Sequence, residues 1–259
     1  MNIVDHIQAN MLAYFRLFTG LPGIITHDED IFWLVTTRGE PGNHILRTQF
    51  SPMNVEYRIA ETLAQISQHS DQIDWIVFPA CAPAELGMHL KAHGMPAGPG
   101  GIWMFMDLRS LTQHNTMPMH FRVEQVQNIT MLDTWRAISA IGFGSNTNIH
   151  YEAYALHGFT QQAFALHYIA YVYDQPVTSA TLLLAGGIAG IWDVSTPPAM
   201  RGRGYGSAIT QAMLQIAYER GYEHAWVWSS QMGQEVYRKL GFVARDFGIR
   251  EYVWRKQKS

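Results

Sequence analysis

Several things are scarce in this sequence. One cysteine, Cys81, stands in 259 residues, which excludes an intramolecular disulfide and fits a reducing compartment. Charge is nearly balanced: 18 basic against 21 acidic residues give a formal net charge of −3. With no run of like charges, this argues against a nucleic-acid partner recruited by net charge. No apolar run is long enough to span a bilayer. The opening "MNIVDHIQANMLAYFRLF" lacks the basic start and apolar core of a signal peptide. A cytoplasmic protein with no membrane partner is therefore expected.

What the chain does contain suits two domains, since its length exceeds the usual single-domain size. An apolar fraction of 47% supports a sizeable core. Near the start, Ile3, Ile7, Met11 and Phe15 step by four, as an amphipathic helix requires. In the second half, "FALHYIAYVYDQPVTSATLLLAGGIAGIWDVST" holds three β-rich runs separated by turn formers. These predict an antiparallel meander with strands near 164–173, 177–184 and 188–196. A helix closed by Gly221, the strand "HAWVWSS", the short helix "GQEVYRKLG" and the strand "REYVWR" follow.

The first half repeats this order. The hairpin "IFWLVTTRGEPGNHILRTQF" precedes a helix carrying Val55, Ile59, Leu63 and Ile66 on one face. The strand "DWIVF", the helix "AELGMHLKAHG" and the strand "IWMFMDL" come next, and "KAHGM" sits where "RKLGF" sits later. The pattern reads as a degenerate duplication. Its boundary is expected in the polar stretch "QHNTMPM", 113–119, which gives domains 1–117 and 118–259.

The stretch "MRGRGYGSA", 200–208, sets the two copies apart. A helix start leaves its first N–H groups unpaired and carries about half a positive charge. Glycines leading into it let a phosphate approach those donors. Each glycine costs roughly 0.5–1 kcal/mol in regular structure, so Gly202, Gly204 and Gly206 are a poor choice for an idle turn. A Walker loop would need Gly-Lys-Ser/Thr, and the dinucleotide fingerprint needs another spacing and a parallel βαβ unit.

The remaining pattern is Arg-x-x-Gly-x-Gly at Arg201, Gly204 and Gly206, followed about thirty residues later by "YRKLGF". Together with the strand "GIWDVST", these resemble the coenzyme-binding half of the GNAT superfamily of N-acyltransferases. The first half is similar to a worn copy without the motif. The resemblance implies an α/β (α+β) fold of tandem GNAT-like units with mixed, largely antiparallel sheets flanked by helices. It implies acetyl-CoA as co-substrate, no metal, and transfer of acetyl to a small-molecule or protein amine by direct attack, in a monomer or homodimer. Backbone groups of Arg201, Gly202, Arg203, Gly204, Tyr205, Gly206 and Ser207 would hold the pyrophosphate. Val194, Ser195 and Thr196 would contact the pantetheine and the acetyl carbonyl. Tyr237 falls at the general-acid position. A non-catalytic acyl-CoA-binding sensor is the alternative, and a longer-chain acyl donor stays open.

A lysine-like amine of pKa near 10.4 needs roughly 4–5 kcal/mol to be neutral at pH 7, so a carboxylate or a carboxylate-bound water must remove its proton, or desolvation must lower its pKa. Glu152, in "NIHYEAY", is the tentative base or amine-recognising group, and Asp193 is the other carboxylate in reach. Each could instead be a solvent-facing residue. His89 and His93, spaced i, i+4, have metal-ligand spacing, but no third ligand is in view and surface histidines are the simpler reading. Trp226 and Trp228 alternate on one strand and could line a cleft or pack the sheet. Phe143, Tyr151 and Tyr154 could form an acceptor pocket or a helical layer. The N-terminal half is expected to bind no coenzyme.

Overall fold

The computed structural model describes residues 2–98, 100–111, 117–160 and 163–256. In chain order the elements are α1 (Ile3–Arg16), β1 (Ile24–Asp28), β2 (Ile31–Thr36), β3 (His44–Thr48), α2 (Val55–Ile66), β4 (Gln72–Val77), α3 (Leu86–Ala92) and β5 (Ile102–Asp107). Then come β6 (Phe121–Gln125), α4 (Ile129–Phe143), α5 (Asn148–His157), β7 (Ala165–Val172), β8 (Gln175–Ala185) and β9 (Ile188–Ser195). The last are α6 (Tyr205–Glu219), β10 (His224–Ser229), α7 (Gln234–Lys239), β11 (Val243–Ala244) and β12 (Arg250–Arg255).

Local chemistry explains the main boundaries. Asn2 caps α1, accepting from the N–H groups of Val4 and Asp5, and Asp5 accepts in return from Asn2 N–H. The helix then buries Ile7, Met11 and Phe15, as the four-residue step predicts. Asn128 caps α4 through Met131 N–H, and Gly144 ends it with φ of 66°. Gly186 and Gly187, both at positive φ, make the tight turn between β8 and β9.

The chain forms two compact units, residues 1–101 with 246–259 and residues 102–245. The first holds a five-stranded sheet ordered β1-β2-β3-β4-β12, the second a seven-stranded sheet ordered β11-β5-β10-β9-β8-β7-β6. The same ladder recurs in both. In the first, β2–β3 is antiparallel, β3–β4 parallel and β4–β12 antiparallel. In the second, β8–β9, β9–β10 and β10–β5 repeat those senses.

The expected division between 117 and 118 is therefore not where the units part. Strand "IWMFMDL", read as the end of the first copy, pairs with β10, Ile102 to Asp107 against Ser229 to His224. Strand "REYVWR", read as the end of the second, pairs with β4, Arg250 to Arg255 against Val77 to Gln72. Alternating apolar residues mark a strand but do not say which neighbour it joins. Residues 113–116 of the expected linker lie outside the described residues.

In the second unit, α6 lays Ile209, Met213, Leu214 and Ala217 on Met104, Met106, Ala189, Ile191, Ala225 and Val227. Fully burying each larger side chain contributes about 1.5–3 kcal/mol. This packing fixes the first turn of α6 beside the end of β9.

Candidate active site

The site begins where two strands separate. Parallel β9 and β10 pair only at Ala189/Ala225 and Gly190/Trp226. Beyond those pairs they diverge, and the loop leaving β9 turns across the opening into α6. A cleft of about 810 Å³ lies there. Its walls include Val194, Ser195, Thr196, Gly202, Gly206 and Tyr237. Arg201, Gly204, Tyr205 and Ser207 also line it. The structure thus brings nearly all the sequence-derived binding positions to one cavity.

The loop's backbone conformation needs two of its glycines. Gly202 has φ of 76° and Gly204 φ of 81°, both left-handed. Gly206 is different: its φ is ordinary, and an added Cβ would meet only Thr196 Oγ1, at 3.6 Å. Nothing among the described residues requires glycine at 206. No side chain caps α6, and the N–H groups of residues 202–207 donate to no acceptor among the described residues. The first protein bond in this turn is Ala208 N–H to Gly204 O, 2.9 Å.

Arg201 serves the loop itself. Its Nε donates to Thr196 O at 3.1 Å and its guanidinium to Gly142 O at 2.6 Å, tying the loop to the end of α4. Arg203 is exposed and makes no side-chain hydrogen bond among the described residues. Thr178 Oγ1 donates to Ser195 O at 2.8 Å and lies 2.9 Å from Thr196 Oγ1. Ser195 Oγ donates to Ser139 O at 3.2 Å. Gly142 is glycine because a Cβ there would collide with Ser195 Oγ. Thr178 and Gly142 went unread in the sequence; only "AIGFG" in α4 hinted at the close approach.

Tyr237 lines the cleft but is 7% exposed, and burial pushes its phenol well above the ordinary tyrosine value. It keeps its proton throughout the neutral range. Giving that proton to a thiolate therefore costs more than the about 2 kcal/mol an unperturbed phenol would need.

The two candidate carboxylates separate. Glu152, on α5, is half-buried, and neither it nor Asp193 is among the cleft residues. Asp193 occupies a β-bulge in β9, with φ of 52°. It is half-buried rather than solvent-facing, and Tyr154 Oη donates to its Oδ2. The bulge leaves the carbonyl of Ala180 to the indole N–H of Trp135, at 3.1 Å. Tyr154 stacks on His167 at 3.8 Å and is fully buried with Trp135, a helical layer; Phe143 lines the coenzyme-side cleft.

The equivalent place in the first unit is occupied by its own chain. Parallel β3 and β4 part after Ile45/Trp75. Ala82 N–H donates to Thr48 O at 2.9 Å, and Phe50 N–H donates to Ala82 O at 3.0 Å. Gln8 Nε2 takes Leu46 O at 2.9 Å, and Trp75 Nε1 reaches Thr48 Oγ1 at 2.9 Å. His89 and His93 both meet Glu56, at 2.5 and 2.6 Å, and clasp α3 to α2. No group suited to a metal ion is found among the described residues, and no helix among them is long and apolar enough to cross a membrane.

Residues 133–242 match the model of the acetyltransferase (GNAT) family, so Arg201, Gly204, Gly206 and Tyr237 fall inside the matched segment. Over 66 residues the chain is 32% identical to histone acetyltransferase TAP1 of Glycine max, covering 26% of this chain and 29% of that protein. The match thus spans less than a third of that relative's length. A GCN5-related N-acetyltransferase from Kribbella flavida superposes with a TM-score of 0.72 at 16% identity, over 100% of this chain and 97% of that one. A tandem GNAT protein from the clavulanic acid biosynthesis pathway gives 0.62 at 12% identity, over 96% and 88%. At these identities the structures establish the shared fold, two sheets flanked by helices.

Proposed function

We propose that this chain, a member of the GNAT acetyltransferases through residues 133–242, moves an acetyl group from acetyl-coenzyme A to an amine. One observation carries the reading. Consecutive N–H groups from 202 to 207, at a helix start, have no acceptor among the described residues, beside a glycine that no described neighbour requires. A diphosphate satisfies such donors and the positive helix end together. The methyl-free surface of Gly206 gives it room.

Bound there, the thioester supplies an activated acetyl carbonyl; the amine nitrogen bonds to its carbon, the carbon–sulfur bond breaks, and the ammonium's two lost protons end on sulfur and in solvent. Val194, on the diverging part of β9, offers backbone groups to that carbonyl. Arg201 fixes the loop rather than neutralising phosphate. Tyr237, protonated by virtue of its burial, acts as a hydrogen-bond donor toward developing charge on sulfur. Asp193, at the strand opening, is the better-placed proton acceptor than Glu152.

The first unit's cleft is filled by residues 48–50 and 82, which supports a single coenzyme site, in the second unit. The test is direct: incubate the protein with acetyl-coenzyme A and an amine panel and follow free thiol. Amine-dependent thiol release is expected. Coenzyme binding without release from any amine would overturn catalysis and favour an acyl-CoA sensor.

A further inference from the structure

Four of the chain's eight tryptophans, Trp103, Trp192, Trp226 and Trp228, belong to three adjacent strands of the second unit. Their neighbours Met104, Ala225, Val227 and Ile191 point into the α6 core, so strand alternation puts all four indoles on the opposite sheet face. Trp103 and Trp226 are buried, at 5% and 1% exposure, and pack the sheet. Trp192 and Trp228 remain partly exposed.

Their geometry is specific. Trp103 lies parallel to Trp228, 8° between planes and 5.1 Å between centroids, and to Trp226, 17° and 5.7 Å. Trp192 stands upright against Trp226, at 88° and 5.4 Å. Trp103 thus stacks on both β10 indoles, and Trp192 stands edge-on to Trp226. Trp226 is the last β10 residue paired with β9, so Trp192 and Trp228 flank the opening between the strands. The β9 bulge, one residue longer than the facing stretch of β8, places consecutive side chains on one side of the strand. Asp193 thereby joins Trp192 on this face, where Tyr154 Oη holds its carboxylate.

We propose that Trp192, Asp193 and Trp228 form the acceptor-selecting corner, and that it takes an arylalkylamine, a primary amine joined by a short alkyl chain to an aromatic ring. The inference rests on the acetyl-transfer reading above. The ring packs against the partly exposed indoles of Trp192 and Trp228 beside the strand opening, where offset and edge-to-face contacts add to area burial. The ammonium faces the Asp193 carboxylate, which orients it toward the strand opening and receives the proton it must lose. An alkyl chain gains only the area term, and an acidic body is repelled by the Asp193 carboxylate.

The experiment compares thiol release with phenethylamine, n-hexylamine and a lysine-containing peptide, in the wild type and in Trp192→Leu, Trp228→Leu and the two Phe variants. Coenzyme affinity is titrated in every protein. In the wild type, kcat/KM for phenethylamine should exceed that for hexylamine by about tenfold. Each Leu variant should carry that ratio toward one with coenzyme affinity unchanged, and each Phe variant should restore most of it. Equal wild-type rates on aryl and alkyl amines, preference for the lysine peptide, or a ratio unmoved in both Leu variants would overturn the corner while acetyl transfer stands. A Leu variant that loses coenzyme affinity has lost its fold, and the wild-type ratio then decides. No release from any amine with coenzyme bound would overturn the transfer reading, and the corner with it.

Discussion

Replacing Gly206 by alanine separates folding from binding. Gly206 is the second residue of α6, at an ordinary φ, and the new methyl would meet only Thr196 Oγ1 at 3.6 Å, a normal contact. The native state therefore loses nothing, while the unfolded chain loses freedom and the helix gains up to about 0.8–1 kcal/mol. At about 2–4 °C per kcal/mol for a chain of this size class, Tm should rise by a few degrees or hold. The same methyl projects into the cleft beside the unpaired N–H groups. Denying one charge-assisted hydrogen bond costs about 1.5–3 kcal/mol, a Kd roughly 10- to 150-fold weaker. Calorimetric titration with coenzyme A, paired with thermal unfolding without ligand, reads both quantities. Gly204→Ala is the counterpart: its φ of 81° forces alanine left-handed at about 1–2 kcal/mol, so Tm should fall. A Gly206→Ala protein with unchanged Kd would refute the claim that residue 206 is kept bare for a diphosphate.

Four further outcomes are expected. Arg201→Met should weaken coenzyme binding with no change in its salt dependence, because the lost bonds go to Thr196 O and Gly142 O; Arg203→Ala should instead flatten the salt dependence, and titrations at two salt concentrations distinguish the cases. Tyr237→Phe should lower kcat about 10- to 100-fold at constant coenzyme Kd, and the wild-type rate should show no tyrosine-dependent alkaline decline below pH 10, since burial raises that phenol. Burial depresses His167 to about 3, so the unfolded chain binds its proton below about 6.5 while the native state does not. Stability is then lost as pH falls, by about 2 kcal/mol at pH 5 from this residue, and denaturant midpoints at pH 7 and 5 should converge in His167→Gln. Finally, calorimetry should count one coenzyme per chain; two would contradict the self-filled cleft of the first unit.

Local signals carried most of the site. The alternation of Gly202, Gly204 and Gly206 before an apolar helix pointed to open backbone donors, and a run of six residues after them placed Tyr237. The meander was legible because its turn formers, Gly186-Gly187 and Asp174, sit between β-rich runs. What sequence order concealed was non-local. The partners of β5 and β12 depend on ladders between distant segments, which periodicity does not encode. The Asp193 bulge and its link to Tyr154 arise from a one-residue mismatch between β8 and β9, invisible until the strands are set side by side. The stack of Trp103 on Trp226 and Trp228 was hidden for the same reason, since "IWMFMDL" seemed to belong elsewhere. Tyr237's burial needed the whole core.

The traded strands also make the two sheets unequal. Residues 102–245 build their sheet from one continuous stretch, whereas β4 gains its edge partner only from the distant segment Arg250–Arg255. Removing that segment should therefore leave the second sheet intact while baring a backbone edge in the first, and an unpaired strand edge invites aggregation.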